Sequence, residues 1–194
     1  MKIFFDTEFT GLHKDTTLIS LGMIDENGRT FYAEFSDYDE SQVDGWIKEN
    51  VIDHLEFNDY YSKFVVDGDC TKMKGPKNYV RDCLLIWLTE YDNVQLVSDV
   101  CHYDMVLFID LFGGAFDLPS KISPVCYDIN QDIAFLYNVT DREAFDMSRE
   151  DIIEEDYRTQ KILTGEEPKR IEGDKHNALY DAKVIRFIHS LIVK

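Results

Sequence analysis

The sequence predicts an α/β fold in which a mixed central sheet is flanked by helices. Three observations carry that expectation. The N-terminal segment holds three β-prone runs joined by short connections, the signature of an antiparallel meander. Beyond it, helical patterns alternate with short apolar runs, which adds parallel strands and packed helices. The length, 194 residues, suits one compact domain spanning 1–194 with a sizeable core.

The elements follow in order. Residues 2–6, 17–24 and 29–35 read as strands, because β-branched and aromatic residues dominate them. Between the second and third, Asp25-Glu26-Asn27-Gly28 reads as a hairpin turn in which Asn-Gly supplies the positive φ values. Residues 46–54 and 78–91 are expected to be helical, and 94–97 is a short buried strand. A helix over 103–112 and a strand over 123–127 follow, then a helix over 129–137. Residues 149–163 are helical, and a long helix over 173–193 ends the sequence. Asp128 reads as the N-cap of the 129–137 helix, and Asp99, at a strand end, as the cap of the turn after it.

Composition excludes several classes. With 44% hydrophobic residues and only 4 prolines the chain is globular rather than disordered. No apolar stretch reaches membrane-spanning length, and the start is a strand followed by acids rather than a signal peptide. Cys70, Cys83, Cys101 and Cys126 are scattered without a C-x-x-C pair, so reduced thiols and a cytoplasmic location are expected. A net charge of −18 argues against a broad basic groove for duplex nucleic acid and for weak, salt-sensitive binding with a short footprint. Two local cationic sets, Lys72, Lys74, Lys77 and Arg81, then Lys161, Lys169, Arg170 and Lys175, read as solubilising charge that can also hold one strand end.

The chemistry lies in the acids. Asp6 and Glu8, in Phe4-Phe5-Asp6-Thr7-Glu8-Phe9, are one residue apart on a strand and therefore share a face. Two carboxylates held together repel unless a proton or a divalent cation separates them. Asp104 sits three, four and seven residues before Leu107, Phe108 and Leu111, on the apolar stripe of its helix, where an unpaired charge is costly. His176-Asn177-Ala178-Leu179-Tyr180-Asp181 adds a third site carboxylate at the edge of the last helix and a histidine suited to proton transfer near neutrality. Residues five apart do not share a helical face. Both can act only if His176 lies in or just before the first turn, with Asp174 as cap and the 164–173 loop able to move it. Spacing alone proves nothing, since Asp141/Glu143 repeats the first spacing in a polar stretch and His54/Asp59 repeats the second with nothing strand-like beside His54.

With these residues assembled, the sequence resembles the DEDDh branch of the DnaQ-like exonucleases, which share the ribonuclease H-like fold. Asp6-Thr7-Glu8-Phe9-Thr10-Gly11-Leu12 looks like the first motif of that group, Tyr103-Asp104 like the second, and His176 through Ala182 like the third. The resemblance narrows to small bacterial and phage 3′–5′ exoribonucleases through Leu18–Ile24, Trp46–Val51, Leu111-Phe112-Gly113 and Asp117-Leu118-Pro119. Phe9 stands where the wider group often has threonine, and Tyr180 where it is often polar or acidic.

The resemblance implies Asp6, Glu8, Asp104, His176 and Asp181 as catalytic residues. Asp6, Glu8, Asp104 and Asp181 would hold two Mg²⁺ or Mn²⁺ ions, with Asp6 bridging and Asp104 acting directly or through water. His176 would be the general base. It further implies that Leu12 wedges against the terminal base, that backbone near Thr7 reaches the 3′ hydroxyl, that Phe9 alters contacts to the terminal nucleotide, and that a homodimer forms. Three readings stay open: hydrolysis of single-stranded RNA 3′ ends, the same chemistry on DNA, and a catalytically silent binding module.

Overall fold

Alternation along the first strand decides which side chains reach each face of the sheet. In β1 (Lys2–Phe9), Ile3 and Phe5 enter one apolar cluster while Phe4 enters another, so Asp6 and Glu8 follow Phe4 onto the second face. The computed structural model describes residues 1–57 and 62–192. Beyond β1 it contains β2 (Leu18–Asp25), β3 (Thr30–Phe35), β4 (Lys63–Asp67), β5 (Cys70–Gly75), β6 (Gln95–Ser98) and β7 (Tyr127–Asp128). The helices are α1 (Gly45–Asn50), α2 (Lys77–Trp87), α3 (His102–Leu111), α4 (Ile129–Tyr137), α5 (Asp141–Asp146), α6 (Arg149–Thr164) and α7 (Ala178–Ile192).

The strands form one mixed sheet in the order β4-β5-β3-β2-β1-β6-β7. β1, β2 and β3 are the expected antiparallel meander, and β6 and β7 extend it in parallel on the β1 side. On one face, Leu21, Met23, Phe31 and Phe35 pack against Val80, Leu84 and Trp87 of α2 and Leu107, Phe108 and Leu111 of α3. On the other, Phe4, Ile24 and Val97 meet α4, α6 and α7 through Ile133, Ile153, Tyr157, Ile185 and Ile188. Burial on both faces explains why β2 and β3 are apolar throughout rather than alternating.

Gly22 sets the seat of α7. A Cβ there would fall 2.2 Å from the backbone of Ala178 and Leu179, so only glycine lets the helix start directly over β2. Because Gly22 pairs with Asp6, the same contact brings the start of α7 beside the β1 acids.

Several expectations need correction. β4 and β5 have no counterpart in the sequence reading; β5 pairs in parallel with β3, and β4 is an edge strand with Phe64, Val65 and Val66 exposed. At the hairpin only Gly28 takes positive φ, and the Asp25 carboxylate instead accepts the N–H groups of Asn27 and Arg29, each at 2.9 Å. The strand expected over 123–127 shrinks to β7 and an isolated Val94–Ile122 bridge. The 46–54 helix is α1 followed by a single 3₁₀ turn, and the 78–91 helix ends at Trp87 before another. The final helix starts at Ala178, not 173. Its first turn is capped by the Asn177 side chain, which accepts from Leu179 and Tyr180, rather than by Asp174. Val193, the expected end of that helix, lies outside the described residues. Asp128 does cap α4, accepting from Asn130 at 2.9 Å. All four cysteines are free thiols. Among the described residues no helix is long and apolar enough to cross a membrane.

Candidate active site

A cleft of about 540 Å³ opens at the C-terminal end of β1, where Asp6 and Glu8 emerge on the α7 face. Asp104 from the first turn of α3, and Asp181 from the first turn of α7, enter it from two sides. The structure thus brings together the four acids singled out from the sequence. His176 joins them: one ring nitrogen and one carboxylate oxygen each from Glu8 and Asp181 lie within 4.8 Å of one another. Among the described residues it is therefore His176, rather than Asp6, that groups with Glu8 and Asp181 as potential ligands.

The local backbone explains how His176 and Asp181 both serve the cleft despite their spacing. His176 precedes the helix and adopts φ 65°, a left-handed conformation that non-glycine residues rarely take. Its N–H donates to Asp181 Oδ2 at 2.9 Å, and its ring meets Trp46 edge-on with centroids 5.2 Å apart. Across the cleft Val100, a β-branched residue, has φ 54°. Strained residues flanking one cleft are typical of a site whose geometry outranks local comfort.

Asp104 is the acid with the most partners. Oδ1 accepts from the Thr7 N–H at 3.1 Å and the Thr7 hydroxyl at 2.5 Å, and Oδ2 accepts from the Ser98 hydroxyl at 2.8 Å. Those donors restrain its pKa, which burial still pushes up to about 6. Asp6 and Glu8 have no hydrogen bond to their carboxylates among the described residues. Burial first, then the neighbouring acids, raises Asp6 well above the usual carboxylate range and Glu8 to about 9. Burial also lifts Asp181 to about 7. His176 moves the other way, lowered by burial and then by the charges of Lys175 and His54. Without a cation, the cluster therefore holds protons that ordinary carboxyls would have lost at neutral pH.

The remaining residues divide by position. Leu12 is 79% exposed at the mouth, and Phe9 stacks on Tyr103 with centroids 5.4 Å apart. Thr7 is buried, and its N–H is spent on Asp104, so it holds that acid and does not offer this donor to a ligand. Asp99 is not a turn cap. Arg149 binds it through two nitrogens, at 2.6 and 2.9 Å, and also reaches Asn130. Arg149, Glu150 and the preceding Phe145, Met147 and Ser148 wall the cleft, an inclusion the sequence reading missed. The Arg149–Asp99 pair spans 50 residues, so no local pattern signals it. Of the repeated spacings, Glu143 caps α5 reciprocally with Thr140, His54 lies near enough to His176 to act on its charge, and Asp59 lies outside the described residues. Of the two cationic sets, Lys72, Lys74, Lys77, Arg81, Lys161, Arg170 and Lys175 are each bound to a carboxylate. Only Lys175, paired with Glu150, lines the cleft.

Comparison with known proteins agrees with this geometry. The 3′–5′ exoribonuclease Rv2179c of Mycobacterium tuberculosis (strain H37Rv) is 24% identical over 133 residues, covering 68% of this chain and 73% of that protein. Among solved structures, the nuclease domain of 3′hExo, a DEDDh family member bound to rAMP, superposes with a TM-score of 0.61 at 12% identity, over 99% of this chain and 90% of that one. S. pombe Pop2p in its Mg²⁺- and Mn²⁺-bound form gives 0.57 at 14% identity, over 98% and 82%. These likenesses establish the ribonuclease H-like fold. The family model of the 3′–5′ exoribonuclease Rv2179c-like domain matches residues 1–193, and the chain accordingly belongs to that family of 3′–5′ exoribonucleases.

Proposed function

We propose that this exonuclease removes nucleotides one at a time from single-stranded RNA 3′ ends, releasing nucleoside 5′-monophosphates with the help of two Mg²⁺ or Mn²⁺ ions. The observation that carries the proposal is the convergence of Asp6, Glu8, Asp104 and Asp181 on one cleft in which the first two have no hydrogen-bond donor among the described residues. Such a set fits hard divalent cations, which prefer carboxylate and water oxygens. The relatives bound to rAMP and to Mg²⁺ and Mn²⁺ support the same reading.

Asp6 would be shared by both ions, Glu8 and Asp181 would complete one set, and Asp104 would serve the other. Asp104 is already oriented by Thr7 and Ser98, and each of its oxygens keeps a further lone pair. When bound, the ions supply charge neutralisation and Lewis-acid polarisation of the phosphodiester.

The chain's own residues do the rest. His176 is held by its N–H bond to Asp181 and by Trp46, and burial, which lowers its pKa, favours the neutral imidazole. A neutral ring can accept the proton of the attacking water. Leu12 would wedge against the terminal base, and Phe9 on Tyr103 would form an apolar wall beside it. A second role for His176, as a ligand with Glu8 and Asp181, is favoured by their 4.8 Å grouping, and metal affinity of a His176 variant separates the two roles.

The test uses 5′-labelled RNA and DNA of identical sequence, with and without a 3′ phosphate. RNA should shorten in single-nucleotide steps in Mg²⁺ or Mn²⁺, stop in EDTA, and resist when 3′-blocked. Faster hydrolysis of the DNA would overturn the choice of RNA, and cleavage of circular strands would overturn the exonucleolytic reading.

A further inference from the structure

A second space, larger than the acid cleft at about 690 Å³, lies on the opposite side of α7, between Lys183, Arg186, Phe187 and Ser190, the start of β1, the end of β2 and the 169–172 segment. At 100° per residue these α7 positions face away from Asp181, Val184 and Ile185, which line the cleft. The two spaces are therefore separate.

The lining is cationic in a chain of net charge −18. Lys2, Lys169, Arg170, Lys183 and Arg186 face Glu26 and Glu172. Arg170 is occupied by Glu154. The other four cations form no ion pair with a carboxylate among the described residues, unlike Lys48, Lys72, Lys74 and Lys77. Arg186 donates to the Glu26 carbonyl at 2.8 Å and Lys183 to the Glu172 carbonyl at 3.3 Å, neutral partners, and the Glu172 and Glu56 carboxylates act on Lys183 without forming an ion pair with it.

Lys2 is held most firmly. Asp132 Oδ2 lies 2.7 Å from His189 Nδ1, and His189 Nε2 lies 2.8 Å from Lys2 Nζ. A carboxylate accepts from Nδ1–H, which fixes the tautomer and leaves Nε2 to accept from the ammonium. The Tyr127 hydroxyl donates to the other Asp132 oxygen at 2.9 Å, and both Asp132 and His189 are buried. This buried chain does for Lys2 what an outer-shell partner does for a ligand: it sets the direction of the charged head. The apolar part of the lining comes from Phe4, Ile24, Ile171 and Phe187.

We infer that this cavity is a second binding site, for a nucleotide moiety whose phosphate is read by Lys2, Lys183 and Arg186 and whose ring lies on the Ile171–Phe187 wall. Unpaired cations supply the anion selectivity, the apolar wall the planar contact, and the volume suits a ligand of this size. A free mononucleotide and one residue of a nucleic acid strand share this chemistry. The inference stands on the cavity and does not require hydrolysis at the acid cleft.

The test titrates the intact chain in EDTA with inorganic phosphate, a nucleoside 5′-monophosphate and a 3′-phosphorylated oligoribonucleotide, followed by NMR of isoleucine methyl groups. Ile24 and Ile171 report the cavity, and Ile185 reports the cleft. Saturable shifts of Ile24 and Ile171 are expected, at least tenfold tighter for the nucleotide than for phosphate. A Lys183→Gln/Arg186→Gln double variant should weaken them at least tenfold while leaving turnover of short RNA unchanged. An oligonucleotide that binds tighter still, with a steeper salt dependence, identifies the strand as the source; equal affinity identifies the free nucleotide. Shifts confined to Ile185, equal affinity for phosphate and nucleotide, or cavity binding unchanged in the folded double variant would overturn the inference. Lys169→Gln, at an exposed position, repeats the test without touching α7 and should weaken binding in the same direction.

Discussion

Two acidic pockets on the same sheet are built to opposite ends. Glu34, on β3, is fully buried, yet its Oε1 accepts from the Tyr32 hydroxyl at 3.1 Å and from the N–H groups of Glu56 and Phe57 at 2.6 and 2.9 Å. Lys74 stands 3.4 Å from its other oxygen. Burial raises its pKa, but every one of those neighbours lowers it. At Asp6, on the adjoining part of the sheet, burial is joined only by more acids: Asp104, Asp181, Glu8 and Asp99. One carboxylate is a compensated anchor that ties the 56–57 segment to the sheet. The other is left uncompensated by the protein, and it is the lack of donors rather than burial that distinguishes a candidate cation site from a structural acid.

The comparison breaks most sharply on substitution. Asp6→Asn should reduce turnover below detection while raising the metal-free melting temperature, because it replaces a buried acid whose ionisation the fold resists. Relief of about 1 kcal/mol would appear as roughly 2–4 °C in a chain of this size. Glu34→Gln should do the reverse, costing about 1–3 kcal/mol in urea unfolding by disrupting the donors gathered on Oε1 and the Lys74 contact, with turnover of the folded fraction retained. Parental turnover in Asp6→Asn, or a destabilised Asp6→Asn beside a neutral Glu34→Gln, would erase the distinction.

His176 sharpens it, being the one site group pushed toward neutrality as a base rather than as an acid. His176→Ala should lower turnover by roughly 10²–10⁴-fold, the usual range for a positioned proton acceptor. Parental activity should rise with pH through a histidine pKa displaced below its ordinary value. If the residue is a base, metal affinity measured by calorimetry barely changes; a large loss of affinity would make it a ligand instead. Turnover equal to the parent at saturating Mn²⁺ would remove it from the chemistry.

The smallest effect is on stability. Glu8, pushed up to about 9, and Asp181, to about 7, are raised in the fold, whereas unfolded carboxyls titrate near 4. A group raised by folding contributes stability that is complete below its unfolded pKa and lost as pH climbs through its folded one. In EDTA the melting temperature should therefore fall as pH rises from about 5 to about 9, over the window these shifts define. Saturating Mn²⁺ should flatten the decline by favouring the ionised forms. A flat profile in EDTA would mean that the acids do not repel as the geometry implies.

Much of the site was legible because its signals are local. A strand's period of two places Asp6 and Glu8 together wherever the strand lies, and helical spacing puts Asp104 on an apolar stripe whatever packs against it. The meander, α3, α4 and α7 follow from the same kind of periodicity. β4 and β5 escaped because β4 exposes Phe64, Val65 and Val66 at an edge while β5 is Lys-rich and half-buried, so neither shows an inward-outward pattern.

What the sequence determined by itself is thus a set of side chains with fixed spacings: two acids on one strand face, an acid on a buried stripe, and a histidine five residues before an acid. Tertiary structure decided which of them meet and which are compensated. Gly22 admits the α7 backbone over β2 and so carries Asp181 to Asp6; Thr7 and Ser98 orient Asp104; left-handed φ turns His176 back toward Asp181. It also decided that Asp99 belongs to Arg149, and that Lys2 and His189, 187 residues apart, share one buried chain beside a cationic cavity. The physical reason is that electrostatic compensation acts through space over a few ångströms, whereas periodicity acts along the chain, so a sequence shows where charges are placed but not what neutralises them.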